Sequence, residues 1–325
     1  MHRVAVVGAS GYAGALCAYL VQRHPSLELT DVTARSDVGA RHEELYPRYG
    51  VELALGEFDP ERIAERADAA LVAYPHGAAA TAVRDLRERG LKVVDLSADF
   101  RLDQESYEEW YAEHGAPELI DEAVYGLTEL HREEIESADL VAAPGCYPTA
   151  AILALAPLRE VAADAVVDAK SGVSGAGRDA TQTTHFVSVS ENVNAYKVDG
   201  HRHQAELERE LAGLRVTFIP HLLPIDQGLL ASCYVTTREA LSEAELRELF
   251  ETAYGDEPFV ELGVTPPGTG DVRETNRCRI FSSLDRRSER VLVFAAIDNL
   301  WKGAAGQAVQ DLNLMLGLPE TEGLL

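Results

Sequence analysis

Arg3-Val4-Ala5-Val6-Val7-Gly8-Ala9-Ser10-Gly11-Tyr12-Ala13-Gly14 is the stretch that decides the fold class. Val4 to Val7 form a short, continuous apolar run, as expected of a parallel strand covered on both faces. A glycine stands at every third position from Gly8 to Gly14, and a helix-forming segment then runs to about Arg23. Strand, glycine turn and helix, in that order, form the context in which glycines serve a dinucleotide. They let the backbone approach a pyrophosphate, and the helix start offers unpaired N–H groups to its charge. The spacing is G-x-x-G-x-x-G rather than G-x-G-x-x-G, and a tight βα turn without a ligand has the same appearance. Gly8, Gly11 and Gly14 are the candidate cofactor glycines.

Outward from this turn, Leu27 to Thr33 reads as the second strand, ending in Ala34-Arg35-Ser36. A fold that selects NAD places an acid near this point to bond the ribose hydroxyls. Arginine and serine suit a 2′-phosphate instead. The expected cofactor is therefore NADP(H), with Arg35 and Ser36 at its 2′-phosphate and Asp37 as the opposing signal, and a surface role for Arg35 is the competing reading. Ala69 to Ala73 and Leu91 to Leu96 read as further strands, with an alanine-rich helix between them up to Arg89. Leu102 to Glu122, acidic and aromatic, reads as an insertion with a helix. Leu140 to Ala143 is the last strand of a dinucleotide-binding domain spanning residues 1–145.

That strand leads into Ala143-Pro144-Gly145-Cys146-Tyr147-Pro148-Thr149-Ala150 and an apolar run to Ala156. Only a buried helix accounts for the run, and Pro148 suits its first turn. Cys146 then sits at a helix N-terminus, where the dipole lowers a thiol pKa and favours a thiolate. A small buried core residue is the competing reading.

Past Cys146 the pattern changes. Ala165 to Lys170 reads as a strand, followed by Ser171-Gly172-Val173-Ser174-Gly175-Ala176-Gly177-Arg178, a loop whose N–H groups and guanidinium suit an anion. Strands dominate afterwards: Asn192 to Tyr196, Val216 to Ile219, Leu229 to Thr237 and Val291 to Ile297. Helices are expected at about Gln204 to Ala212 and Ser242 to Tyr254. The expected fold is an α/β Rossmann-type NADP-binding domain with a second α+β substrate domain built on a mixed, largely antiparallel sheet. The second domain spans 146–300, and a small-residue helix from Trp301 to Leu316 brings 301–325 back onto the first. Gly200-His201-Arg202-His203 lies between the strands. An H-x-H pair can hold a metal, but no cysteine or carboxylate stands at ligand spacing, so no metal is expected. Capping or surface roles compete with a histidine that exchanges a proton with Cys146.

Composition sets further bounds. The chain has 325 residues and a net charge of -25, from 54 acidic and 29 basic residues. Such a surface repels a phosphate backbone, which excludes nucleic-acid binding. It fits a protein of a high-salt cytoplasm, where ions screen the self-repulsion. Four scattered cysteines without C-x-x-C spacing argue for a reducing compartment. No signal peptide and no apolar run of membrane length are apparent, so a cytoplasmic location is expected.

These motifs, together with Pro220-His221-Leu222-Leu223-Pro224 and Asp298-Asn299-Leu300-Trp301-Lys302-Gly303-Ala304-Ala305-Gly306-Gln307-Ala308, occur in one order. The set resembles the N-acetyl-gamma-glutamyl-phosphate reductase family of arginine biosynthesis over essentially the whole chain. Pro144-Gly145-Cys146-Tyr147-Pro148-Thr149 is its most specific piece. The resemblance implies that Cys146 attacks an acyl phosphate, expels phosphate and forms a thioester, which hydride from NADPH reduces to an aldehyde. It implies His201 as first candidate for the acid/base and His203 as second. Arg178, with Ser174 and Gly175, would bind the substrate anion, and Ser10, Gly11, Tyr12, Ala13, Ala34, Arg35, Ser36 and Asn299 would contact the cofactor. A sister group reduces glutamyl or aminoadipyl phosphate attached to a small acidic amino-group carrier protein, for arginine or lysine biosynthesis, and shares the motifs. Gln227 and Arg273-Glu274-Thr275-Asn276 depart from the usual family pattern and bear on substrate recognition. The family implies a homodimer or homotetramer. Other semialdehyde dehydrogenases, a cysteine hydrolase and a non-catalytic NADP-binding regulator are the competing classes.

Overall fold

Val4, Val6 and their neighbours lie in β1 (His2–Val7), which runs through the Gly8–Gly11 turn into α1 (Tyr12–Arg23). The structure, a computed structural model, describes residues 1–325. Further β and α segments alternate: β2 (Leu27–Thr33), α2 (His42–Leu45), α3 (Pro60–Arg66), β3 (Ala69–Val72), α4 (Ala79–Arg87), β4 (Lys92–Asp95), α5 (Gln104–Trp110), β5 (Val124–Tyr125), α6 (Thr128–Ser137) and β6 (Leu140–Ala142). The six strands form one wholly parallel sheet in the order β2-β1-β3-β4-β6-β5. Strand order reverses beside β1, so the glycine turn lies at the switch point where doubly wound sheets bind ligands. One face of the sheet, with Ala5, Val7, Ala70, Val72 and Val93, shares a core with Ile63 of α3 and Val83 and Leu86 of α4.

The second compact unit, Gly145–Gly303, holds α7 (Cys146–Leu155), β7 (Ala162–Gly172), α8 (Phe186–Val189), β8 (Asn194–Ala195), α9 (His203–Glu210), β9 (Arg215–Leu223), β10 (Leu229–Thr237), α10 (Glu243–Tyr254), β11 (Val260–Leu262), β12 (Cys278–Asp285) and β13 (Arg290–Ile297). Its seven strands run β11-β12-β13-β10-β7-β9-β8. The sheet is mixed: β11–β12 and β7–β9 are parallel and the other four pairs antiparallel. From Tyr147 to Leu155 every residue of α7 is buried, against β10, β13 and α9. Each fully buried Leu or Ile there stabilises the unit by about 1.5–3 kcal/mol. Finally α11 (Gly306–Met315) returns to the first unit, Met1–Pro144 with Ala304–Leu325. It packs on α1, α6 and β4. Part of its buried polar surface is paired: Thr128 Oγ1 donates to Asp311 Oδ1 (2.8 Å), and Gln307 Nε2 donates to both.

Three expectations change in detail. The helix expected from Trp301 opens with a π-helical stretch at Trp301–Ala305 and becomes α-helical only at Gly306. The strand expected over Asn192 to Tyr196 contracts to two exposed residues, because only the end of β9 is available to pair with it. β11 and β12 complete the sheet without having announced themselves, since β12 (CRIFSSLD) is half-exposed and carries little continuous apolar signal.

Candidate active site

Gly145 is the extended N-cap of α7, and Cys146 is the first residue of the helix. Pro148 stands third and has no N–H, so Cys146 and Tyr147 supply the first-turn donors. No acidic residue and no capping side chain occupies that turn. Cys146 is the partly exposed thiol of the four; Cys17, Cys233 and Cys278 are buried. Burial raises the Cys17 thiol and pushes Cys233 up to about 12.

The helix start is walled by groups from three other segments of its unit. A Cβ built on Gly145 would lie 2.5 Å from His203 Nε2, so the His203 ring rests on that α-carbon. A Cβ on Gly303 would lie 2.7 Å from Cys146 Cβ. Glu206, one helical turn beyond His203 on α9, is fully buried. Its Oε2 accepts the Gly145 N–H at 2.9 Å, and its Oε1 lies 4.0 Å from His203 Nε2. His201 stands behind His203: its Nδ1 accepts the His203 N–H at 3.2 Å. The edges of Tyr147, Tyr196 and Phe218 surround it at 5.4 to 5.8 Å. Burial first, then the Lys197 and Arg202 charges, push the His201 imidazole down to about 4, so it is neutral at pH 7. Glu206 and Gly303 were not singled out from the sequence. His203-x-x-Glu206 was a legible signal, because an i, i+3 pair shares one helix face.

In the first unit the glycines divide by cause. Gly8 has φ +95°, and a Cβ there would lie 2.6 Å from the Ala73 carbonyl oxygen. A Cβ on Gly14 would lie 2.2 Å from the Gly8 carbonyl oxygen. Packing within the protein requires both. A Cβ on Gly11 meets only Gly8 O, at 3.7 Å, so a side chain there would extend into open space. An incoming ligand, rather than packing, profits from that glycine. The α1 start has no acidic residue and no capping side chain, which leaves it fit for a pyrophosphate. At the end of β2, Ala34 is buried, while Arg35 and Ser36 are exposed. Asp31, the acid within β2, is buried against the guanidinium groups of Arg62 (3.6 Å) and Arg66 (3.4 Å) and is not presented to a ribose. At the carboxyl end of β4, Arg101 is buried and donates from Nε to Ala143 O (2.7 Å) and from Nη2 to Leu96 O (2.8 Å).

Residues 3–138 match the family model for the semialdehyde dehydrogenase NAD binding domain, and residues 146–299 match that for the semialdehyde dehydrogenase dimerisation domain. The chain is 47% identical to N-acetyl-gamma-glutamyl-phosphate reductase of Moorella thermoacetica, over 100% of this chain and 98% of the relative. The reductase of Desulforudis audaxviator is 48% identical over the same shares. The chain belongs to the N-acetyl-gamma-glutamyl-phosphate reductase family. It is an oxidoreductase with a Rossmann-type dinucleotide-binding unit. The same fold occurs in aspartate semialdehyde dehydrogenase II of Vibrio cholerae, with TM-score 0.75 at 18% identity, covering 98% of each chain. It recurs in aspartate semialdehyde dehydrogenase of Candida albicans, solved with NADP, with TM-score 0.73 at 13% identity over 97% of this chain and 98% of the other.

The remaining reductase-family residues named from the sequence fall in the second unit. Arg178 is exposed, beyond Gly177 with φ +88°. Gly175 is exposed, whereas Ser174 is buried and its hydroxyl donates to Asp226 O at 2.6 Å. Asn299 is buried: its Oδ1 accepts the Gly228 N–H (2.8 Å) and its Nδ2 donates to Ser174 Oγ (2.9 Å). Ser174 and Asn299 thus tie the 171–178 loop to the β9–β10 turn. Gln227 is buried, and its main-chain carbonyl accepts from Arg273 Nη2 at 3.1 Å, which ties the β9–β10 turn to the 273–276 segment.

Proposed function

We propose that this chain is an NADPH-dependent N-acetyl-gamma-glutamyl-phosphate reductase that forms N-acetylglutamate semialdehyde and phosphate in arginine biosynthesis, through a thioester on Cys146. The observation that carries the reading is a single reachable thiol at an uncapped helix start, beside a histidine and a buried carboxylate on one face of α9. The Cys146 thiol gives its proton to His203, and its sulfur bonds to the acyl carbon. The acyl C–O bond breaks and inorganic phosphate leaves. NADPH, when bound, supplies the hydride that reduces the thioester carbon. Collapse of the tetrahedral adduct breaks the C–S bond and releases the aldehyde, while His203 returns its proton to the sulfur. The Cys146 and Tyr147 N–H groups suit the oxyanion of both adducts. Two steps replace one harder displacement.

His203 rather than His201 is the acid/base in this reading. The His203 ring lies on Gly145, and Glu206 stabilises its imidazolium. His201, held neutral by burial, orients the segment through the His203 N–H. Arg178 and Gly175 meet the substrate anion, with Ser174 and Asn299 shaping the loop. NADPH over NADH is supported by exposed Arg35 and Ser36 and by the engagement of Asp31 elsewhere.

The free acetylated substrate is favoured over a carrier-linked one. A small acidic carrier needs exposed basic charge, and of the arginines suited to that, Arg279 already faces Glu261 (3.4 Å) and Asp271 (3.7 Å). The reading includes a cytoplasmic, high-salt setting and a homo-oligomer formed through the second unit. The test is phosphate-dependent NADPH formation from the semialdehyde. Wild-type protein shows it, and Cys146→Ala loses it while still binding NADPH. Full turnover by Cys146→Ala would eliminate the thioester route.

A further inference from the structure

The glycine turn is held by a second device, which lies 36 residues away in sequence. The Tyr46 hydroxyl donates to the Ser10 carbonyl at 2.7 Å. On the other side of the turn, the N–H groups of Gly8 and Ala9 both donate to Thr33 O (2.9 and 2.8 Å), and the Gly11 N–H donates to Gly8 O at 3.2 Å. The Gly8, Ala9 and Gly11 N–H groups and the Ser10 carbonyl are therefore committed to the protein, and the N–H groups of Tyr12, Ala13 and Gly14 form the first turn of α1.

Tyr46 belongs to an excursion after β2 made of α2 and the short 3-10 turn Pro47–Tyr49. Bridges between Thr33 and Gly56 and between Arg41 and Ala54 close its base. Its rings are keyed to α1. Tyr46 meets the edge of Tyr12 at 6.4 Å and stacks on Tyr49 at 5.9 Å, and Tyr49 stacks on Tyr19 at 4.9 Å. Tyr12 and Tyr19 are seven residues apart and so share a helix face. His42, fully buried, closes the cluster against Tyr46 at 5.4 Å. Such pairs add stabilisation beyond burial and hold in place a short excursion that has little helix of its own.

We propose that Tyr46 is a positioning residue for the cofactor: its hydroxyl fixes the Ser10–Gly11 peptide so that the α1 start is set for a pyrophosphate before the ligand arrives. The inference rests on the dinucleotide reading of the first unit. It adds a residue outside the glycine motif to the binding machinery. Preorganisation of this kind lowers the ordering cost of binding, so its loss appears in affinity and not in the chemical step.

The test is Tyr46→Phe, which removes one oxygen and keeps the ring stack. Calorimetric titration is expected to show NADPH binding weakened about five- to tenfold, the worth of one hydrogen bond. KM for NADPH should rise by the same factor, with kcat at saturating cofactor unchanged. Adenosine 2′-monophosphate, which lacks the pyrophosphate, should bind the variant as it binds wild type. Unchanged NADPH affinity, or equal loss of both ligands, overturns the proposal. Amide hydrogen exchange of Gly8, Ala9 and Gly11 in ligand-free wild type supplies a readout without a variant. Protection before NADPH is added is expected, and exchange as fast as in the exposed 186–187 segment overturns it. The titrations and the exchange measurement use no acyl phosphate, so failure of the reductase assignment would be seen separately. Wild-type protein that binds no NADPH would sink the cofactor reading instead.

Discussion

His203 and Gly145 are in such close register that one methyl group separates a working corner from a displaced one. A Cβ at Gly145 collides with the ring nitrogen and, because His203 precedes buried Glu206 on α9, the ring has little room to retreat. Gly145→Ala should therefore lower kcat on the order of a hundredfold, the usual result of a displacement near one ångström at a reacting group. Stopped-flow assays together with an unchanged melting temperature would check this; retained kcat would mean the ring is not needed where it lies. His203→Asn is expected to lose turnover more severely than His201→Asn, and the reverse order would return the acid/base role to His201. The neutral state of His201 also has a stability consequence. Its folded pKa of about 4 lies below its ordinary 6.5, so the unfolded chain takes up the proton first. The contribution of His201 is whole above pH 6.5 and is lost as the pH falls towards 4. His201→Asn should flatten that part of the stability curve. Asp95 runs the other way. Burial first, and then Asp99, push its carboxyl up to about 7, so its share of stability is present below the ordinary 3.8 and lost as pH rises to 7. Asp95→Asn should raise the urea midpoint at pH 8 more than at pH 5.

Elements carry the choice of cofactor. β2 ends with Arg35 exposed and Asp31 turned towards α3, and that pairing of positions, not either residue alone, opposes NAD. Arg35→Ala should raise KM for NADPH about 10- to 100-fold, as expected for a lost charge-assisted bond, and leave KM for NADH almost unchanged. Equal loss for both cofactors would remove Arg35 from the 2′-phosphate site. α7 shows how an element can serve packing and chemistry together. Its body is wholly buried, which fixes it against β10 and β13, while its first turn stays uncapped and proline removes a donor. Glu206 takes the Gly145 N–H, and the Cys146 and Tyr147 N–H groups of the first turn are left to face a developing charge.

At the scale of the whole chain, net charge sets the conditions. With a charge of -25 and four lysines, the folded state suffers self-repulsion that salt relieves. The melting temperature should climb steadily from about 0.1 M to about 2 M KCl, since the Debye length shrinks from about 10 Å to below 3 Å over that range. A flat profile would make the acidic surface an ordinary solvated one. The same excess of acid lends importance to each exposed cation, Arg35 and Arg178 among them, because phosphorylated ligands approach a repelling surface.

Much of this was legible in residue order. The run from Val4 to Gly14 carries a parallel strand, a tight turn and the start of a helix in eleven residues, because close backbone approach demands glycine wherever it occurs. Cys146 at a helix start was legible for a similar reason: proline and glycine punctuate local structure, and punctuation is local. Short charged helices such as α3, with Ile63 alone buried, and the half-exposed β12 were not legible, since their stability comes from partners. The same holds for the site. Glu206 beneath Gly145, Gly303 against Cys146 and Tyr46 on Ser10 each join residues 36 to 157 positions apart. Sequence by itself determined which residues could do chemistry, because reactivity belongs to side-chain type and local backbone. Only the tertiary structure decided which histidine lies on the cysteine corner and which is ringed by aromatic side chains, because burial and distance depend on packing between segments that are remote in the chain.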